Sequence, residues 1–375
     1  MDFSVIVLMV VVTALVFDFT NGFHDTANAM ATSIATGALR PKVAVVIAGV
    51  LNVVGAFLSI EVAKTISSGL VDEAKITPVV IFGGLIGAIL WNLLTWLLGL
   101  PSSSSHALFG GLIGATWVAA GSSAIEFGSV ISKVLLPAVF SPIIAGVAAL
   151  AATYFAYRIT VGAVKETIAR GFRLTQVVSA SMVALAHGSN DGQKTMGVIT
   201  LTLITAGSLP ASAGPPFWVI LSCGLTIGLG TSLGGWRIIQ TLGRRVSDIQ
   251  SPQGFAAETS SAAAILTSAH LGFALSTTHV CTGSIFGAGA GRRLASVRWG
   301  VAGQMALAWL LTLPSAAIVG ALSAWVAGSG TLGTVLVALV ALAAAAGIYA
   351  LSRRRPITAE NVNDVPAARL ATASV

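Results

Sequence analysis

The sequence predicts an all-α, polytopic membrane protein with two inverted-topology repeats, each containing a broken helix and a helical hairpin tipped by Ser or Thr. Its 375 residues have a mean hydropathy of +0.90, with 55% apolar and 9% charged residues, whereas soluble domains carry about 25% charged residues. Polar motifs recur in the same order in the two halves, and basic residues concentrate in alternate loops. A duplicated membrane domain explains all three observations.

Apolar stretches of membrane-spanning length occur in the same order in both halves. In the first half they cover roughly residues 3–39, 42–60, 78–98 and 134–156. In the second half they cover roughly 174–206, 217–235, 254–272 and 299–322, and a further span lies near 331–351. A short apolar piece led by Ser or Thr follows 78–98 and again 254–272, and we interpret each as the second arm of a hairpin.

This pattern divides the chain into five parts. We predict a first transmembrane repeat over 1–156, a basic cytoplasmic linker over 157–173, a second, inverted repeat over 174–322, an additional span over 323–351, and a polar cytoplasmic tail over 352–375 that we expect to be disordered.

The charges of the loops orient the spans. Basic residues mark cytoplasmic loops, and here they cluster near residues 40–42, 158–173, 237–245, 292–298 and 353–355. The loops 61–77, 207–216 and 323–330 are mixed or uncharged and belong outside. We therefore expect a protein of the cell (inner or plasma) membrane with its N-terminus outside, its C-terminus in the cytoplasm, and its two hairpins inserted from opposite sides.

The first segment of each half is too long for one straight span and has glycine near an aspartate: Gly22 near Asp25, and Gly188 and Gly192 near Asp191. We predict that each helix breaks there and that the start of the second part faces a polar cavity. Alternatively, the glycines only allow helices to pack closely. Buried charge favours a functional site, because Asp25, Asp191 and Lys194 together cost on the order of 8 to 10 kcal/mol before pairing.

Hydroxyl residues begin the second arm of each predicted hairpin. Ser102, Ser103, Ser104 and Ser105 follow Pro101, and Ser276, Thr277 and Thr278 occupy the matching place in the second half. Such residues cap a helix, and their hydroxyls together with free backbone amides can hold an oxyanion without adding charge. The alternative is hydrogen bonding of each hydroxyl back to its own helix.

Histidine follows the hydroxyls in both halves, as His106 and His279, which are 173 positions apart. These residues either carry protons or hold the hairpin tips together, and we favour the second role. Asp18, Glu258 and His270 lie in spans without a counterpart in the other half, and each could equally serve as an interhelical hydrogen-bonding residue. The formal charge of +7 resides in short loops, so we predict no nucleic-acid partner.

The polar motifs resemble those of the PiT family of inorganic phosphate transporters, particularly its bacterial low-affinity, proton-coupled members. The motifs are Asn-Gly-Phe-His-Asp-Thr-Ala-Asn from Asn21, Leu-Pro-Ser-Ser-Ser-Ser-His from Leu100, Ala-His-Gly-Ser-Asn-Asp-Gly-Gln-Lys from Ala186, and Ser-Thr-Thr-His from Ser276. The resemblance covers residues 15 to about 320 and implies that phosphate binds between the repeats. We predict as its ligands Asp25, Asn28, Ser103, Ser104, Ser105, Asn190, Asp191, Ser276, Thr277 and Thr278.

Two positions depart from the family pattern. The usual Asn-Asp pair is His24-Asp25 in the first copy, and Lys194 replaces a later Asn in the second. The resemblance implies that these positions affect cation coupling in sodium-driven members, which favours proton coupling here. It also implies uptake of phosphate as a metal complex. We predict that coupling depends on Asn21, His24, His187 and Lys194.

The charges of the site support the same interpretation. A phosphate dianion beside two ionised aspartates and Lys194 leaves a net charge of about −3, which a site of low dielectric constant cannot hold without more cations. Protons on the aspartates, His24 or His187, or a divalent metal entering with phosphate, would offset it. We therefore predict a proton-coupled phosphate importer and not an enzyme. We expect no resident cofactor and no protein ligand for a metal.

Three alternatives remain open from the sequence: a sulfate permease on the same scaffold, a membrane phosphoesterase with paired His and Asp, and a passive anion channel. A phosphoesterase predicts an arginine beside the phosphate, whereas every arginine here falls in a loop, at a span end or in the tail. The predicted partners are inorganic phosphate and the lipid bilayer. The sequence is also compatible with a homo-oligomer, and sodium is the alternative to the proton as the coupling ion.

Overall fold

The computed structural model describes residues 4–292 and 297–364, and within these residues the fold is helical, with two isolated β-bridges and no strand. The first half contains α1 (Val5–Ala35), α2 (Pro41–Gly55), α3 (Glu61–Gly69), α4 (Pro78–Leu98), α5 (Ser104–Ala120), α6 (Phe127–Val130) and α7 (Leu136–Ile159). The second contains α8 (Lys165–Thr205), α9 (Phe217–Leu233), α10 (Trp236–Gln240), α11 (Ser251–His270), α12 (Thr277–Arg292), α13 (Trp299–Ala327) and α14 (Thr331–Ser352).

Within the described ranges, five helical stretches are long and apolar enough to cross a bilayer: α1, α4, α6 to α7 together, α13 and α14. A π-helical turn joins α6 to α7, and a similar turn extends α10 to Arg245. The pair α9 and α10, bent by 58°, adds a sixth span if it is counted as one. Large apolar side chains such as Leu310, 73% exposed, cover the outer faces. The prediction of a polytopic, all-α membrane protein is confirmed.

Both halves contain the same succession of elements: a long helix, a short helix, a small helix, a hairpin and another long helix. The hairpins are α4 with α5, and α11 with α12, and each has Ser or Thr at its tip as predicted. The small helix α3 was not predicted, because its residues are mixed in polarity and were interpreted as a loop. It buries one apolar edge, formed by Val62, Ala63 and Ile66.

The two halves pack across one another. The second arm of the first hairpin, α5, packs against α13, while α12 packs against α7. Likewise α1 packs against α9, and α2 packs against α8 and α9. Small residues permit these contacts: a Cβ atom at Gly114 would lie 2.0 Å from the Ala317 carbonyl oxygen, and one at Gly283 would lie 2.3 Å from that of Pro142.

The predicted helix breaks are wrong, because α1 and α8 are continuous through their glycines. A Cβ atom at Gly22 would lie 2.4 Å from the Ile227 carbonyl oxygen, and one at Gly188 would lie 2.2 Å from that of Asn52. These glycines therefore let neighbouring backbones approach, which was the alternative explanation. The length of α8 has a different cause, since residues 166–174 near its start form a largely exposed extension that contains Arg170 and Arg173.

The expectation of a disordered tail is wrong up to residue 364. Glu360 forms a 2.7 Å ion pair with Lys42, and Arg237 Nη2 donates to the Arg355 carbonyl oxygen at 2.7 Å. Val362 is buried in the same cluster of apolar residues as Ile238 of α10. The segment after α14 is thus fixed against α2 and α10, while 365–375 lie outside the described residues.

Candidate functional site

Asp25, in the middle of α1, connects the tips of both hairpins. Ser104 Oγ of the first tip donates to its Oδ2 at 3.0 Å, and Thr278 Oγ1 of the second donates to its Oδ1 at 3.4 Å. His24 Nδ1 lies 2.6 Å from the same Oδ1. The carboxylate is only 2% exposed, so it is held by hydroxyls and an imidazole in place of water.

Asp191, in the middle of α8, is the second buried carboxylate of the site. Lys194 Nζ donates to its Oδ1, and Thr277 Oγ1 donates to its Oδ2 at 3.1 Å. His187 Nε2 lies 3.2 Å from Oδ2. Because Asp191 is one helical turn from both His187 and Lys194, three groups that determine the charge of the site share one face of α8.

The environment of His187 defines its tautomer. Its Nδ1 lies 2.7 Å from Asn52 Oδ1, while the Asn52 amide nitrogen donates to the Ala48 carbonyl oxygen and to Thr231 Oγ1. That network assigns the Nδ1 hydrogen to the bond with Asn52, so Nε2 faces the carboxylate of Asp191. Nε2 either takes up a proton and pairs with Asp191 or offers its lone pair to a cation.

Lys194 is 1% exposed, and its ammonium group lies inside the site. Besides Asp191, Nζ donates to Ser105 Oγ at 2.6 Å and to the Leu275 carbonyl oxygen at 2.8 Å. All three donor positions of the ammonium group are therefore used, with one partner from each hairpin tip. Lys194 therefore does not extend to a membrane interface.

The predicted asparagines differ in their contacts. Asn28 Nδ2 donates to Thr278 Oγ1 at 3.0 Å and reaches Thr277 Oγ1 at 3.5 Å. Among the described residues, Asn190 Oδ1 and both amide atoms of Asn21 are buried without a hydrogen-bond partner. Buried polar atoms are nearly always paired in folded proteins, so these amides have capacity for a ligand or water.

The hairpin tips use their hydroxyls in two ways. Ser103 Oγ accepts from the His106 backbone N–H at 3.1 Å, and Ser276 Oγ accepts from that of His279 at 3.2 Å. Ser103 and Ser276, which were predicted as ligands, therefore cap their helices. The next two hydroxyls of each tip contact the aspartates or Lys194; they belong to Ser104, Ser105, Thr277 and Thr278.

The two histidines after the tips contact each other. The ring centroids of His106 and His279 are 4.7 Å apart, and His279 stacks on Trp309 at 4.1 Å. Trp309 Nε1 in turn donates to the Pro101 carbonyl oxygen at 2.9 Å. These contacts support the role that we favoured, which is to hold the tips together.

Three ligand atoms suited to a cation converge at the centre of the site. One atom each from Asp25, His187 and Asp191 lie within 4.8 Å of one another. Two carboxylates and an imidazole form a donor set that divalent transition metals accept. We predicted no protein ligand for a metal from the sequence, although the spacing of His187 and Asp191 by one helical turn could have indicated this site.

Two residues that support the site, Asn52 and Thr95, were not predicted from the sequence. Asn52 orients His187, and the hydroxyl of Thr95 lies 3.2 Å from His24 Nε2, close to that of Ser102 at 3.4 Å. A polar residue within an apolar span, as Asn52 and Thr95 are, was the available signal. His270, by contrast, is exposed at the end of α11 and takes no part in the site.

The chain is similar to known proteins over most of its length. Residues 21–320 match the Phosphate transporter family. The chain is 54% identical to a Mycobacterium bovis protein named "Probable low-affinity inorganic phosphate transporter", over 96% of this chain and 87% of that protein. A Rhizobium meliloti protein of the same name is 44% identical, over 83% of this chain and 93% of that one.

A solved structure described as "The sodium-dependent phosphate transporter" has the same fold, with a TM-score of 0.78 and 24% identity, and covers 86% of this chain and 99% of that one. The family match includes both aspartates and both hairpin tips. The family consists of transporters and not enzymes, which removes the phosphoesterase alternative. The chain belongs to the phosphate transporter family.

Proposed function

We propose that the protein imports inorganic phosphate by proton symport and binds it between Asp25, Asp191 and the two hairpin tips. The observation that carries this proposal is the convergence of four hydroxyls, from Ser104, Ser105, Thr277 and Thr278, on the buried carboxylates and ammonium. Hydroxyls that now donate to the aspartates can donate to phosphate oxygens instead.

Proton coupling is supported by the groups that surround Asp191. Lys194 supplies one fixed positive charge, and His187 Nε2 is placed to supply another when it is protonated. These two cations would balance Asp25 and Asp191, so a phosphate dianion still requires two further charges. Protons on the carboxylates would provide them. A divalent metal bound with phosphate by Asp25, Asp191 and the unprotonated Nε2 of His187 would leave one negative charge, which a single proton would offset.

The way in which the tips are supported favours inverted repeats. Thr241 Oγ1, on the turn after α10, donates to the Gly99 carbonyl oxygen of the first tip at 2.7 Å. Gly272 of the second tip lies against Glu61 and Thr65 of α3. Each tip therefore contacts the small helix of the other half, as expected if the hairpins enter from opposite sides. The distribution of the basic segments supports the further proposal that the N-terminus lies outside and the C-terminus in the cytoplasm.

A sulfate permease is the second candidate, because hydroxyls bind either tetrahedral anion. At neutral pH phosphate retains a proton that can be donated to Asp25 or Asp191, whereas sulfate offers only acceptors. Two buried carboxylates therefore favour phosphate.

Purified protein in proteoliposomes would test the proposal, with the pH gradient, sodium and a divalent metal varied separately. We expect phosphate uptake that requires an inward proton gradient, proceeds without sodium and exceeds sulfate uptake. Uptake that persists after the gradient is dissipated would indicate a channel, and strong stimulation by sodium would contradict proton coupling.

A further inference from the structure

Another buried carboxyl group, that of Glu258 on α11, lies outside the phosphate site. It is 3% exposed. Thr32 Oγ1 and Ser33 Oγ of α1 each donate to its Oε1 at 2.6 Å, and Gln176 Nε2 of α8 donates to the same oxygen at 3.2 Å. Ser179 Oγ donates to Oε2 at 2.5 Å. The carboxyl group thus joins the three helices that carry Asp25, Asp191 and the second hairpin tip.

The groups around Glu258 are neutral. α1 contributes two hydroxyls and α8 contributes an amide and a hydroxyl. The titratable neighbour on α12 is the Cys281 thiol, which is hydrogen-bonded to Ser261. Among the described side chains, Glu258 has no ion pair. A buried carboxyl group without a cation is expensive for a membrane protein and indicates a function.

The hydrogen bonds of Glu258 can be satisfied in both protonation states. In the ionised state all four neighbours donate to it. After protonation at Oε2 the new O–H can donate to Ser179 Oγ, whose own hydrogen can turn to the Gln176 carbonyl oxygen, 3.4 Å away. A proton can therefore bind and leave without an unpaired buried group.

Glu258 also lies between the phosphate site and a cavity. Along α1, Thr32 is one turn beyond Asn28, a rise of about 6 Å. On the other side, Gln176 Oε1 accepts from Thr36 Oγ1 at 2.8 Å, and Thr36 lines a cavity of about 690 Å³. Arg173 and Arg292 line the same cavity, which places it at a basic end of the protein.

We propose that Glu258 carries the symported proton between the phosphate site and this basic cavity, an inference that rests on the proposed proton symport. The proton leaves the O–H bond of the phosphate, or of the carboxyl group that holds it in the phosphate site, and forms an O–H bond at Oε2. That bond breaks in turn when water in the cavity accepts the proton. Neutralising the carboxylate weakens the four hydrogen bonds that hold α11 to α1 and α8. Proton binding thereby loosens these helices and opens the path for phosphate to leave.

The test compares native protein with Glu258→Gln, which keeps the shape of the side chain but cannot bind a proton. Two transport modes are measured in proteoliposomes: net uptake driven by a proton gradient, and exchange of labelled for unlabelled phosphate at equal pH. We expect net uptake to fall by about tenfold or more, while exchange and phosphate affinity stay within about twofold of native, because Glu258 does not touch the phosphate site.

Two further variants separate proton carrying from a structural role. Glu258→Asp retains a titratable group and should recover part of the net uptake, whereas a merely structural position would tolerate Gln better than Asp. Glu166→Gln, at an acidic residue of the same cavity outside the hydrogen-bond chain, is the matched control and should behave as native.

The outcomes distinguish this inference from the proposed function. If native protein lacks proton-driven uptake, the proposed symport fails regardless of Glu258. If native protein is proton-driven and Glu258→Gln is equally so, or if that variant loses phosphate binding as well, the assignment of Glu258 is overturned while the symport stands.

Discussion

The two copies of the polar motif each bury one aspartate, but they surround its negative charge with different groups. In the first copy Asp25 is accompanied by the adjacent His24, and Asn28 donates to the opposite hairpin tip. In the second copy Asp191 is accompanied by His187 one turn before it and by Lys194 one turn after it. The first copy therefore depends on neutral donors and a titratable ring, while the second contains a permanent cation.

This asymmetry concerns the position where a cation could bind beside Asp191. An amide at the position of Lys194 would leave room for an external cation beside Asp191, whereas the ammonium group fills that place and bonds both hairpin tips. The second copy thus has a built-in positive charge, which the first copy lacks.

The largest effect is expected from removing either carboxylate. Asp25→Asn and Asp191→Asn should each abolish uptake while leaving membrane insertion intact, because a neutral side chain is easier to bury than an ion. Phosphate uptake into proteoliposomes and the amount of protein in the membrane are the measurements, with the exposed Asp248→Asn as control. Normal transport by either variant would show that the two copies are not both part of the site.

Replacing Lys194 by Asn makes the second copy resemble the first. We expect Lys194→Asn to lose proton-driven uptake or to become responsive to added cations, because Asp191 loses its permanent partner. Uptake in sodium-free and sodium-containing buffer measures this effect, and Lys75→Asn at an exposed ion pair is the control. An indifferent variant would mean that the ammonium group only anchors α8.

Replacing the hairpin hydroxyls should have smaller effects than replacing the aspartates or Lys194, and the effects should be of two kinds: weaker phosphate binding or lower stability. Ser104→Ala or Thr278→Val should weaken phosphate binding by about fivefold to tenfold, the value of one hydrogen bond of roughly 1 to 1.5 kcal/mol. Ser103→Ala and Ser276→Ala should instead lower thermal stability, because a helix cap contributes about 1 kcal/mol. Equilibrium binding and melting temperature are measured on the same samples, and equal binding losses in all four variants would contradict the division.

The smallest effect is expected where the two halves meet through His106 and His279. Replacing His279 by Phe preserves the stack on Trp309 and should change uptake by less than about twofold, since an aromatic ring retains most of the contact. The pH dependence of uptake is the decisive measurement. A variant that transports but no longer responds to the proton gradient would identify these histidines as proton carriers.

The hairpins and the two buried aspartates could be predicted from the sequence, because helix-starting residues and buried charges are recognisable without a structure. The hairpins were predicted because Pro101 and the serines after it begin a helix, and Asp25 and Asp191 stood out because buried charge is costly. Continuity of α1 and α8 was not predicted, because a glycine beside an aspartate is compatible with a break or with close contact. The position of the Ile227 carbonyl oxygen against Gly22, which only the structure gives, distinguishes close packing from a helix break.

Supporting residues were harder to predict for a different reason. Asn52, Thr95 and Gln176 act through contacts with residues far away in the chain, and the repeat does not reveal which helices will be neighbours. Glu258 was noticed, but its role depends on hydroxyls from α1 and α8 whose orientation follows only from the packed structure.

The crosswise packing of the two halves also has a consequence for biosynthesis. The glycines of α5 fit against α13, where a Cβ atom at Gly110 would lie 2.3 Å from the Leu313 carbonyl oxygen. About two hundred residues separate these partners, so a ribosome working at about 5 to 20 residues per second needs some 10 to 40 seconds to supply the second one. During that interval the first hairpin lacks its final neighbour, whereas α12 emerges after its partner α7 and can dock at once. In a newly made chain the serine-tipped first hairpin therefore lacks α13 until the C-terminal half has been synthesised.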